Sequence, residues 1–71
     1  MKKNKIEIYI NGKKKILDND CSILEVLKIF NIKNRLIAIE VNKEIIPKSQ
    51  YKIKKIMQND KIEIVELIGG G

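Results

Sequence analysis

The sequence predicts an α+β fold, a sheet of four to five strands covered by one main helix. Three observations predict it. Apolar and polar residues alternate over Lys5 to Ile10 and again near the end of the chain, the period-two pattern of half-buried strands. One stretch only, following Ser22, has the spacing of an amphipathic helix. The length, 71 residues, suits one domain, 1–71, and a core of modest size.

In "KIEIYI", Ile6, Ile8 and Ile10 share one face and Glu7 and Tyr9 the other. Asn11-Gly12 follows, the pair favoured by a type I′ hairpin turn because both positions need positive φ. "KKKIL" returns as the second strand. Ser22 and Glu25 then form an S-x-x-E capping box. Ile23, Leu27 and Phe30, joined by Val26, make the apolar face of the helix, which fades over Asn31 to Asn34. "LIAIEV", Leu36 to Val41, reads as a third strand, well covered because both of its faces are apolar except at Glu40. Asn42-Lys43 turns the chain into a short extended piece, Glu44 to Ile46. Pro47 ends it, and its missing N–H suits a sheet edge. A loop or single helical turn over Lys48 to Lys52, a short strand over Ile53 to Met57 and a turn at Asn59-Asp60 lead to the last strand, Ile62 to Leu67. One helix for one sheet is an α+β arrangement; a hairpin, a covering helix and a final strand are compatible with a β-grasp fold and its mixed sheet, though the pattern leaves the strand order open.

Composition excludes several kinds of chemistry. There is one cysteine, Cys21, and no histidine, so an internal disulfide and any Ser-His or Cys-His pair are ruled out. Soft ligands are too few for a zinc cluster. No apolar run approaches the roughly 20 residues of a membrane span, and the basic start is not followed by a signal-peptide core. The chain therefore reads as soluble and cytoplasmic, or stromal if encoded in an organelle. Its net charge of +6 would suit nucleic acid or an acidic partner. The lysines are dispersed, however, and only Tyr9, Phe30 and Tyr51 are aromatic, too few for base stacking. Solvated surface is the preferred reading, with no nucleic acid and no membrane as partner.

The last strand holds a parity conflict. With Ile62 and Ile64 facing the core, Glu63, Val65 and Leu67 fall on the outer face and Glu66 points inward, which is costly without a partner. The chain is therefore expected to leave the sheet, or the core, near Glu66. Val65, Leu67 and Ile68 then lie at the exit of a flexible tail, 68–71. Tyr9 joins them in one docking patch if the first and last strands are neighbours. Beyond the patch come Gly69, Gly70 and Gly71. Three extended residues reach roughly 10 Å, and without Cβ atoms they can thread a narrow channel. They would carry the Gly71 α-carboxylate into a partner's active site; a frayed terminus is the plainer alternative.

Three stretches, "INGK" (Ile10 to Lys13), "AIEVNKEIIPKSQY" (Ala38 to Tyr51) and "NDKIEIVELIGGG" (Asn59 to Gly71), resemble the ThiS family of sulfur carriers in thiamine biosynthesis, small ubiquitin-like β-grasp proteins. The likeness covers almost the whole chain, and the middle block is its most specific part. Asn59 departs from the glycine common there, but asparagine tolerates the same left-handed conformation. Shorter relatives end on two glycines, which makes Gly69 the less essential. The resemblance implies a protein co-substrate rather than an enzyme, with no catalytic residue, bound cofactor or metal of its own. An E1-like adenylating enzyme would use ATP and Mg²⁺ to activate the Gly71 carboxylate. A sulfur donor, such as a cysteine desulfurase, would convert it to a thiocarboxylate, and thiazole synthase would receive the sulfur. Gly69 and Gly70 would thread the partner's site.

Other readings stand beside this one. The same fold serves as the small subunit of molybdopterin synthase and as a carrier for tRNA thiolation. A basic RNA-binding β-grasp module is a third. Cys21, one residue before the cap, suits a hydrophobic staple with Val26 rather than a reactive thiol. Lys13 to Lys15 suit a solvated hairpin edge.

Overall fold

The first alternation forms a hairpin: β1 (Lys5–Ile10) pairs antiparallel with β2 (Lys13–Asp18), Ile8 opposite Lys15. The computed structural model describes residues 4–33 and 36–67. Asn11 and Gly12 have φ of 49° and 82°, as the type I′ turn requires. A Cβ on Gly12 would meet nothing within 4 Å, so glycine is there for its backbone freedom rather than for space.

The helix α1 (Ile23–Ile29) is short, and both of its ends are satisfied. Ser22 Oγ accepts from the Glu25 N–H at 3.2 Å, and Glu25 Oε1 accepts from the Ser22 N–H at 2.8 Å. The remaining first-turn donors go elsewhere: Ile23 N–H to the Lys54 carbonyl, Leu24 N–H to that of Tyr51, and Val26 N–H to that of Ser22. At the other end Asn31 adopts φ 57°. Its N–H donates to the Lys28 carbonyl and that of Ile32 to Leu27, a Schellman closure with asparagine in the left-handed position. Ile23, Val26 and Leu27 are buried, while Phe30 is only half-buried and carries the Lys15 ammonium 5.4 Å from its ring centroid.

After the helix come β3 (Ile37–Val41), β4 (Glu44–Ile46), a 3₁₀ turn over Lys48–Gln50, and β5 (Lys61–Glu66). The sheet order is β2-β1-β5-β3-β4. β5 is parallel to β1 and antiparallel to β3, so the last strand enters the middle of the sheet, the β-grasp arrangement. β4, the strand that Pro47 ends, lies at the edge. Ile6, Ile8 and Ile10, Ile37, Ile39 and Val41, and Ile62 meet the helix in one core.

Two sequence expectations are corrected. Ile53 to Met57 is not a strand: only Lys55 forms a bridge, with Ser22. The carbonyls around it are engaged instead by the start of the helix, and Ile56 N–H donates to the Cys21 carbonyl. Ile53 and Met57 are exposed and Ile56 is buried. The third strand is not covered on both faces either. One helix covers one face of the sheet, and Leu36, at the mouth of β3, is 58% exposed on the other.

The remaining turns rely on left-handed residues. Asn42 and Lys43 have φ of 53° and 70°, and Asn59 has φ 70°. A buried carboxylate ties these turns together. Asp60 Oδ2 accepts from the Met57 N–H at 2.8 Å, and Oδ1 from Asn42 Nδ2 at 2.9 Å. Asn42 Oδ1 accepts in turn from the Lys61 N–H at 3.0 Å. This network fixes where β5 begins.

Candidate functional site

The site is the terminal half of β5 and what flanks it. Opposite residues of an antiparallel pair share a face. Ala38 is opposite Val65 and Ile37 opposite Glu66, and the Leu67 N–H donates to the Leu36 carbonyl at 2.6 Å. Leu36, Ala38, Val65 and Leu67 therefore gather at one end of the outer face. Val65 is 54% and Leu67 51% exposed. The patch stands immediately before residues 68–71.

The parity conflict at Glu66 resolves in one of the two ways expected. The strand continues through Glu66, but the core stops short of it. Glu66 lies on the helix-side face and is exposed, bordering a hollow of about 330 Å³ with Ile10, Ile32 and Ile64. Its carboxylate thus meets solvent, and no partner is needed.

Tyr9 does not join the patch. β1 and β5 are neighbours, as supposed, but Tyr9 is opposite Lys61 at the start of β5. Val65 is four residues further on, roughly 13 Å along a strand, and by then β1 has turned away at Asn11. The parallel register separates residues that the face rule alone had grouped. Leu36 takes that place, and its only sequence signal was the apolar outer face of "LIAIEV". Ile68, Gly69, Gly70 and Gly71 lie outside the described residues.

Nothing else among the described residues competes as a chemical centre. No group of metal-ligating side chains forms, and no helix is long and apolar enough to cross a membrane. Cys21 is buried beside the cap, in the same core as Val26. Burial pushes the Tyr51 phenol up from its ordinary value, in keeping with a core anchor. Lys5, Lys14 and Lys55 pair with Asp18, Glu7 and Asp20 on the surface.

A mixed sheet around one helix, with an apolar patch where the central strand runs out toward a glycine-rich segment, defines a ubiquitin-like β-grasp protein. A model of the ThiS family matches residues 3–71, and the chain belongs to that family, the sulfur carriers of thiamine biosynthesis. It is 35% identical over 65 residues to the sulfur carrier protein ThiS of Bacillus subtilis, covering 90% of this chain and 98% of that one. It is also 35% identical over 66 residues to a thiazole synthase of Paramagnetospirillum magneticum, covering 93% of this chain but only 20% of the synthase. The crystal structure of a ThiS thiamine biosynthesis protein from Geobacter metallireducens superposes with a TM-score of 0.80 at 20% identity, over 93% of this chain and all of that one. That likeness supports the fold.

Proposed function

We propose that this carrier holds its sulfur as a thiocarboxylate on Gly71 and that every acid, base and metal needed to put it there belongs to partner proteins. A carboxylate is a poor electrophile. An E1-like enzyme, using ATP and Mg²⁺, joins the Gly71 carboxylate to AMP and releases pyrophosphate. Sulfide then attacks the carbonyl and AMP leaves, giving the thiocarboxylate directly. Where the nucleophile is instead the persulfide of a donor such as a cysteine desulfurase, loss of AMP gives an acyl disulfide, and a thiol reduces its S–S bond to free the thiocarboxylate, the donor and thiol ending as a disulfide. The C-terminal thiocarboxylate that results is nucleophilic at neutral pH and gives its sulfur to thiazole synthase. The carrier is a co-substrate and supplies no catalytic residue. These steps take place in the cytoplasm or an organelle stroma.

The observation that carries this reading is placement. The half-exposed Val65 and Leu67, with Leu36, form an apolar patch directly before the glycine segment. A contiguous exposed apolar patch suits protein docking. Residues without Cβ beyond it can enter a channel that excludes side chains. The thiazole synthase with a stretch 35% identical to this chain supports that enzyme as the recipient.

Intact mass after incubation with ATP, Mg²⁺, the activating enzyme and a sulfur source tests the proposal. The expected gain is about 16 Da, oxygen replaced by sulfur, located on Gly71 by fragmentation because oxidation of Met or Cys adds nearly the same mass. An amidated Gly71 that still supports thiazole formation would refute it.

A further inference from the structure

Asn11 has one role in the hairpin turn and a second on β5. β1 ends at Ile10, and the chain then turns toward β2. Backbone groups of β5 beyond Ile62 that face β1 would be left without a strand. The Asn11 N–H makes the last main-chain bond, to the Ile62 carbonyl at 2.9 Å. The side-chain amide then continues the ladder. Its Oδ1 accepts from the Ile64 N–H at 2.7 Å, and its Nδ2 donates to the Ile64 carbonyl at 3.2 Å. A carboxamide offers a donor and an acceptor in one plane, as a peptide unit does, so Asn11 stands in for the missing residue of β1. Among the described residues no strand lies beside Glu66 on that edge. On the other edge the last bond among the described residues runs from the Leu67 N–H to the Leu36 carbonyl.

We propose that Asn11 is a positioning residue for sulfur loading: its side chain clamps β5 at Ile64 and so holds Val65 and Leu67 in the orientation that the activating enzyme recognises. This inference rests on the carrier reading above. The clamp acts on the free carrier. Without it, only a fraction of molecules present the strand end correctly, and apparent affinity falls by that fraction while the chemistry of the bound complex is unchanged. The turn alone does not require the amide, since glycine and aspartate also serve that position of a type I′ turn. Only asparagine both accepts from and donates to one backbone residue there: aspartate keeps the acceptor and loses the donor, and glycine loses both.

The experiment compares the wild-type chain with Asn11→Gly and Asn11→Asp. Carrier-dependent pyrophosphate release by the activating enzyme gives KM and kcat, and amide hydrogen exchange is followed at Ile64 and at Ile39. Both variants are expected to raise KM about fivefold to tenfold, the scale of one or two exposed hydrogen bonds, with kcat unchanged. In Asn11→Gly, exchange at Ile64 quickens about tenfold while Ile39 keeps its protection. A merely structural role would lower the melting temperature and leave KM of the folded carrier where it was. The proposal is overturned if KM stays within twofold of wild type in whichever variants fold, or if Ile64 exchanges no faster in Asn11→Gly. Absence of turnover with the wild-type chain overturns the carrier reading, and this inference with it.

Discussion

Replacing Val65 and Leu67 together by aspartate separates docking from folding. In the free chain these side chains are 54% and 51% exposed. Full burial of a Val or Leu side chain is worth about 1.5–3 kcal/mol, so roughly half of that, about 1 kcal/mol each, remains to be gained when a partner covers them. Losing about 2 kcal/mol for the pair weakens docking roughly 30-fold at 1.4 kcal/mol per decade. A carboxylate forced into an apolar contact adds its own desolvation cost, which takes the loss to about 100-fold or more. Folding suffers less, because both positions already meet solvent. The assay is carrier-dependent pyrophosphate release by the activating enzyme, run well below the melting temperature of each variant. Ile16→Asp is the control. Ile16 is 60% exposed on the same outer face, opposite Glu7 on β2 and therefore remote from Leu67, so its KM should stay within twofold of wild type. A double variant that is turned over with unaltered KM, or an equal loss in Ile16→Asp, would refute the assignment of the patch.

Three further changes probe the scaffold. Asp60→Ala strips the partners from the Met57 N–H and Asn42 Nδ2; both residues reach solvent, so each group costs about 1 kcal/mol, the low end of the range, and the melting temperature should fall by roughly 8–16 °C, measured by thermal circular dichroism. The Ser22 N–H holds the Glu25 carboxyl below its ordinary value, helped by the Ser22 hydroxyl and the Lys55 charge. A depressed folded-state pKa gives stability that is complete above the unfolded value and lost as pH falls through the folded one. Urea midpoints of wild type should therefore exceed those of Glu25→Gln at neutral pH and converge with them in acid, below the usual glutamate range near about 4.3. Lys43 pays a strain cost at φ 70°, so Lys43→Gly should raise stability by up to about 1 kcal/mol, read as a higher urea midpoint with unchanged slope.

Most of the elements were legible because their signals are local. The Ile6-Ile8-Ile10 alternation, the Asn11-Gly12 turn and the Ser22–Glu25 box each lie within a few residues of chain, and each appears in the structure as expected. The "IKKIM" segment, Ile53 to Met57, misled because period and composition do not record where backbone bonds go. The Tyr51 and Lys54 carbonyls serve the first turn of α1, so no second strand could claim that segment. The Asn42–Asp60 network was equally hidden, since its members are 18 residues apart and meet only after folding.

For the candidate site the division is sharper. The order of residues alone determined which side chains of β5 share a face, that Glu66 conflicts with the core, and that glycines follow an apolar strand end. Period-two geometry is a property of any strand, whatever its neighbours. Which residues of other strands stand beside Val65 was decided by tertiary structure. Inserting β5 between β1 and β3, in its particular parallel and antiparallel registers, brought Leu36 and Ala38 to the patch, left Tyr9 at the far end, and turned Asn11 onto Ile64. Alternation is blind to such pairings, because a strand's inward and outward residues are the same at every register shift of two. Only the packing of the helix against one face, and the polar clamps at the strand ends, select one of them.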